Sequence, residues 1–290
     1  MAAIAIVITP MAMAIPASAA TNQTVTVWQW NVSGYVMNDG STTNGMVDGL
    51  VASILNRDAD LVALNEICWD QYKEVQARLA AAGWPLTSNY SRFESALNVC
   101  GGFGNAIFSR RPLGTADRIS LTVDPQDNGE VRSLLCAPVD STRLRFCATH
   151  LTPYSMVNTQ LNEVRAQLEA WDDAGDTVII AGDFNTEPHY DRLNSWYAAS
   201  ANTTINPGNW GRFRELDDTD PVCLGYGEGT TNKTDNGKCG LGSKIDMIFI
   251  PESRFANNSR FGDSLAISQA CGGACSDHRV YYGTATVTVG

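Results

Sequence analysis

Asp176 to Asn185 reads DTVIIAGDFN. Val178, Ile179, Ile180 and Ala181 make an unbroken apolar run, the pattern of a strand covered on both faces. Gly182 to Asn185 then breaks the run with a carboxylate and an amide. A strand of this kind lies inside a layered sheet protein, and polar groups at its end stand where such proteins build sites. Five other strand-like stretches carry a polar tip: WN at Asn31, NE at Glu66, TH at His150, KID at Asp246, and SDH at Ser276 to His278. The ordered set carries more weight than any one tip.

Outward from these tips the chain alternates between strand and helix signals. TVTVWQWN has the period of a strand ending at Asn31 and DLVALNE that of a buried strand ending at Glu66. Between them, Gly45 to Asp58 carries Met46, Val47, Leu50, Val51, Ile54 and Leu55 at helical spacing. Tyr72 to Ala82 is predicted as a second helix closed by Gly83, and Asn158 is predicted to cap a third with Leu161, Val164, Leu168 and Trp171 on one face. GNAIFSR, KIDMIFI and RVYYGTATVTV read as further strands. Trp28, Trp30, Trp171 and Phe249 are expected in the core. Hairpins mixed with helix alternation predict an α/β layered sandwich with mixed sheets.

Residues 1–20 form an apolar, nearly uncharged stretch ending in small residues around Ala17 to Ala19, which reads as a secretory signal peptide. Pro10 and Pro16 argue against a membrane-spanning helix, and residues 21–290 are expected to form one domain. The eight cysteines suit an oxidising, extracellular destination, and none has the paired CxxC spacing of a zinc site. A turn centred between Ser141 and Thr142 puts Cys136 opposite Cys147. Proximity suggests Cys223 with Cys239 and Cys271 with Cys275, leaving Cys68 with Cys100, although sequence alone permits many connectivities. A net charge of −11 argues against a broadly basic surface that coats nucleic acid. It leaves room for an enzyme that makes a few phosphate contacts with a divalent metal and a handful of Arg side chains.

Phosphodiester hydrolysis needs charge neutralisation at phosphorus, an activated water and help for the departing oxygen. Glu66, Asp183 and Asp277, with the amide oxygens of Asn31 and Asn185, are hard oxygen ligands suited to Mg²⁺, Mn²⁺ or Ca²⁺. Two of the three histidines stand at tips in this set. GDFN, the late SDH, NE after the second strand, and KID about thirty residues before SDH resemble the endonuclease/exonuclease/phosphatase superfamily over nearly the whole chain after residue 20, in the family's order. The resemblance implies a four-layer α/β sandwich, two packed mixed β-sheets flanked by helices, of the deoxyribonuclease I-like kind, and metal-dependent phosphoesterase activity. By the same resemblance His278 is the base for water or its close partner, oriented by Asp246, while His150 stabilises the phosphorane or acts as acid. Asn185 holds a phosphate oxygen, Glu66 is the principal metal ligand with Asn31 beside it, and Asp183 and Asp277 complete a polar floor. Whether Asp183 or His278 takes the proton stays open. Arg132 is expected to touch phosphate, with an exposed strand arginine as the competing reading.

Substrate choice is expected in loops Tyr90 to Gly102 and Asn206 to Ser243, where Tyr90, Arg92 and Phe93 offer stacking and charge, with packing as the competing reading for Phe93. The expected substrate is a phosphodiester, with DNA first, by a secreted monomer lacking a stable protein partner. A lipid head group is the alternative and would need NPGNWGRF, with Trp210 and Phe213, to enter a bilayer. An inositol-phosphate phosphatase is less favoured because the loops hold few Lys and Arg. A catalytically silent binding module is disfavoured because every catalytic position is filled.

Overall fold

The computed structural model describes residues 20–85, 88–232, 236–267 and 270–290; the expected leader lies outside them save for Ala20. In chain order the elements are β1 (Thr21–Asn31), α1 (Met46–Asn56), β2 (Leu61–Cys68), α2 (Trp69–Ala81), β3 (Ser91–Leu97), β4 (Phe103–Ser109), β5 (Asp117–Ser120), β6 (Ser133–Val139), β7 (Leu144–His150), α3 (Val157–Asp173), β8 (Thr177–Asp183), β9 (Phe213–Glu215), β10 (Asn236–Gly237), β11 (Gly240–Leu241), β12 (Asp246–Pro251), β13 (Phe255–Leu265) and β14 (Val280–Val289). Twelve of the strands build two six-stranded mixed sheets, ordered β13-β14-β1-β2-β4-β3 and β5-β6-β7-β8-β12-β9, and β10 and β11 pair as a separate ribbon. No helix among the described residues is long and apolar enough to cross a membrane.

Three apolar clusters separate four layers. Val25, Val27, Leu61 and Ala63 of one sheet meet Phe146, Ala148, Ile179, Ala181, Ile248 and Ile250 of the other between the sheets. Trp28, Trp30, Val62 and Leu64 point the opposite way, onto Met46, Leu50 and Ile54 of α1 and Val75 and Leu79 of α2. Val178, Ile180, Met247 and Phe249 face Leu161, Val164 and Leu168 of α3. The outcome is a helix, sheet, sheet, helix sandwich.

Period-two alternation then determines where polar residues go. The inner-face column Val25, Val27 continues to Gln29 and Asn31, Phe146 and Ala148 continue to His150, and Ile179 and Ala181 continue to Asp183. Antiparallel β12 begins at Asp246, paired with Asp183, while His150 pairs with Asp183 from the parallel side. Catalytic candidates therefore stand at one end of the inter-sheet core.

β2 does not end at Glu66, as its apolar run suggests, but continues to Cys68. Leu64 pairs with Ala106 and Ile67 with Gly104, so Asn65 and Glu66 together oppose Asn105, which is a β-bulge. Glu66 adopts φ 57°, and Ile67 returns to the outer cluster with Val62 and Leu64. The extra residue is what lets a carboxylate at an outward position turn to the site.

Helix boundaries also shift. α2 starts three residues before the expected Tyr72, at Trp69, which packs on Tyr72 and Phe93. α3 starts at Val157 with Met156 at the N-cap, so Asn158 lies within its first turn. Asp124, from a distant loop, accepts the Met156 N–H at 2.6 Å, and a tertiary partner thereby replaces the local cap. Cys136 stands opposite Cys147 in the β6–β7 ladder, and Cys68–Cys100, Cys223–Cys239 and Cys271–Cys275 are also bonded.

A Cβ placed on Gly182 would lie 2.0 Å from the Thr149 carbonyl oxygen. Gly182→Ala should therefore destabilise the protein by about 1–3 kcal/mol, as overpacking does, measured by denaturant unfolding. Unchanged stability would contradict the close β7–β8 approach.

Candidate active site

His278 Nδ1 lies 2.8 Å from Asp246 Oδ2, and Gln29 Nε2 donates to the other oxygen, Oδ1, at 3.0 Å. The same Gln29 nitrogen reaches Asn65 Oδ1 at 3.1 Å, and Asn65 Oδ1 also accepts the Asp183 N–H at 2.9 Å. Asp246 is fully buried, as expected of a carboxylate placed between apolar strand residues. Trp30 Nε1 and Ser276 Oγ secure the SDH loop through the His278 carbonyl and N–H. The imidazole is thus clamped, with Nε2 3.6 Å from Asp183 Oδ2.

On the other side, His150 Nε2 lies 3.5 Å from Asp183 Oδ2 and 4.0 Å from Glu66 Oε1. Asn31 Nδ2 donates to Glu66 Oε1 at 2.9 Å and Asp183 Oδ2 at 3.1 Å, while its own Oδ1 accepts the Ser33 N–H. In this orientation Asn31 bridges the two carboxylates, and offering its oxygen to a cation requires an amide turn. Asn185 has φ 48° and donates Nδ2 to the Leu151 carbonyl. Asp277 is exposed at the rim beside Glu66. Arg132 is buried rather than exposed, held by Asp127 through Nε at 2.9 Å and Nη2 at 3.0 Å.

Burial raises the Glu66 carboxyl above its ordinary range and Asp277 adds to the rise, against the Asn31 hydrogen bond. Burial likewise pushes Asp183 up to about 7, against His278, with Asp246 contributing to the rise. For His278 burial opposes the charge, but Asp246 and Asp183 outweigh it and carry the imidazole up to about 10. His150 is held well below its ordinary range by burial and by the Arg132 and His278 charges.

Among the described residues Asp183, Asp246 and His278 bring ligand atoms within 4.8 Å of one another, a possible cation site. The His278–Asp246 hydrogen bond occupies those two groups with each other. Glu66, Asp183 and Asp277 offer hard oxygens, and a cation bound by Glu66 would offset the burial that raises its carboxyl. The residues present fit a divalent metal there.

The family model of the Endonuclease/Exonuclease/phosphatase family matches residues 28–278. The chain belongs to this family. No curated protein sequence matches it. Among solved structures, an endonuclease/exonuclease/phosphatase family protein from Bacteroides thetaiotaomicron is 14% identical with TM-score 0.63, over 92% of this chain and 98% of that one. The human Nocturnin catalytic domain with bound sulfate anion is 17% identical with TM-score 0.62, covering 93% and 97%. TDP2 of D. rerio complexed with single strand DNA product is 18% identical with TM-score 0.61, covering 92% and 99%. At these identities the likeness establishes the shared fold.

Gln29 and Glu130 lie outside the family motifs, and Asn65, the amide of the NE motif, carries no assigned role in it. Gln29 and Asn65 had a signal, since each is a polar residue on the inner-face column of a buried strand. Glu130 had none: it arrives from the irregular loop before β6, with Oε1 3.8 Å from His150 Nδ1, and burial carries it to about 7. The loop expected to read substrate through Tyr90, Arg92 and Phe93 is instead structural. Tyr90 is buried, Arg92 donates to the Leu113 and Gly114 carbonyls, and Phe93 packs on Trp69 and Tyr72. His189 packs at a tilt on Tyr190 beside Tyr226, with Glu187 3.8 Å from its Nδ1.

Asp246→Asn should lower the His278 imidazole pKa by at least about one unit through loss of the paired charge, read by NMR titration of metal-free protein. A titration that does not move would contradict the pairing.

Proposed function

We propose that the protein is a secreted, divalent-metal-dependent phosphodiesterase that cleaves DNA. The observation that carries this reading is the buried His278–Asp246 pair aimed at Asp183, with His150 and Glu66 on the far side of the same carboxylate. A divalent cation held by Glu66, with Asp277 and Asn31 at its margin, would neutralise charge on a phosphate oxygen.

Water attacking phosphorus gives its proton to the Asp183–His278 pair. The Asp246 and Asp183 charges favour the protonated imidazole of His278 while burial raises the Asp183 carboxyl, so we take Asp183 as the acceptor, with His278 holding it in place. Neutral His150 donates a hydrogen bond to the phosphoryl group. Asn185 restrains the same group, and Arg132 adds positive potential from beneath.

Four disulfides, no free cysteine among the described residues and the leader-like start support an extracellular destination for a monomer. DNA is preferred over a lipid head group because Phe213, half of the expected membrane-entering pair, is packed on Trp196 in the core while Trp210 alone is exposed. The single-strand DNA product in the D. rerio relative adds a precedent on the same fold.

His150→Ala should lower kcat on DNA by at least about 10²-fold, and Glu66→Gln should raise the Mg²⁺ concentration needed for half-maximal rate. Below about pH 7 the rate should climb roughly tenfold per pH unit as Asp183 loses its proton, with the limb moving to lower pH as metal is added. A rate flat from pH 5 to 8, or a His150→Ala variant equal to wild type, counts against this mechanism.

A further inference from the structure

Beside His150 the surface opens into a cavity of about 230 Å³ whose only described lining residue with a part in the hydrolytic steps is Arg132; Glu130, Asp127, Leu97, Pro153 and Tyr154 also line it. Glu130 joins it to the site, with Oε1 3.8 Å from His150 Nδ1 on one side and 3.0 Å from Arg132 Nη1 on the other. Drug-sized ligands occupy pockets of roughly 300–1,000 Å³, so this one suits a smaller group such as one planar ring.

Arg132, only 6% exposed, is already paired in the cavity wall, with Nη1 3.0 Å from Glu130 Oε1 and Nε and Nη2 on Asp127, so the aromatic side chain is the group left to meet a ligand. Tyr154 is 44% exposed, a large aromatic ring left at the mouth of the cavity four residues after His150. Its backbone is fixed, since its N–H donates to Thr152 Oγ1 at 3.2 Å and Asp124 ties Thr152, Ser155 and Met156 together. The main chain that carries the ring is thus fixed at the cavity, while the side chain itself is partly exposed.

We propose that this cavity is a nucleobase subsite, taking one base of a nucleotide that adjoins the scissile phosphate and stacking it on Tyr154. The inference rests on the nuclease reading above and extends it to substrate form. A base can enter only when unpaired, so single strands and frayed ends are cut in preference to intact duplex. Stacking tolerates any base, because every base has a π-face, and an acidic protein gains affinity this way without a basic groove.

The test measures kcat/KM on an oligo-dT strand and on an equally long strand carrying abasic residues on both sides of the cut, for wild type, Tyr154→Ala and Tyr154→Phe. Loss of one stacked base corresponds to roughly 5- to 150-fold. Tyr154→Ala should therefore fall by at least about 5-fold on oligo-dT and remain at the wild-type rate on the abasic strand, and Tyr154→Phe should match wild type on both. Wild-type turnover with Tyr154→Ala unaffected, or equally impaired on both strands, overturns the subsite alone. A folded wild type inert on both strands overturns the nuclease reading and the subsite with it.

Discussion

Two sheets packed face to face leave one apolar interior, and strand periodicity obliges every second residue to enter it. Where Val25 and Val27 give way to Gln29 and Asn31, and Ile179 and Ala181 to Asp183, the same geometry delivers polar groups into a space with little water. Buried polar groups persist only when paired, and breaking a buried charge pair costs about 3–5 kcal/mol. The pairing is dense here: Gln29 and His278 take both oxygens of Asp246, Asn31 Nδ2 and the Asn185 N–H donate to the two oxygens of Asp183, and Asn65 accepts the Asp183 N–H. Rigidity of the site and burial of the core thus have one cause.

The arrangement also places strain where chemistry is built. Glu66 and Asn185 both hold left-handed backbone, at φ 57° and 48°, conformations that cost non-glycine residues about 1–3 kcal/mol each. Each is over-determined by neighbours: Glu66 sits on the bulge against β4 and binds Asn31, and Asn185 is fixed by Asp183 and Leu151. Burial then separates the titrations. Asp183 is pushed up to about 7 and His278 up to about 10 while His150 is pushed down, which divides the roles between Asp183 and two histidines that each lie within 4 Å of it.

Much of this was legible in the sequence because strand ends and motif order are local properties. The DTVIIAGDFN run, the Asp246 flanked by Ile245 and Met247, and the Cys136–Cys147 symmetry each depend on a few adjacent residues, and the layered α/β sandwich follows from their sum. What stayed hidden was set by distant partners. Asp124 caps α3 from another loop, Glu130 approaches His150 from irregular chain, and the bulge that turns Glu66 inward arises only against β4. Tyr90 and Phe213, which are buried, and Arg92 and Phe93, which are half-buried, look available in sequence because what covers them lies elsewhere in the chain.

The most direct measurement is supercoiled-plasmid nicking by the folded, disulfide-bonded protein in Mg²⁺ plus Ca²⁺, against EDTA and against His278→Ala. The account expects nicking that EDTA abolishes and that the variant loses by at least about 10²-fold. Nicking that persists in EDTA, or a His278→Ala variant as active as wild type, would contradict a metal-assisted site organised around the Asp246–His278 pair.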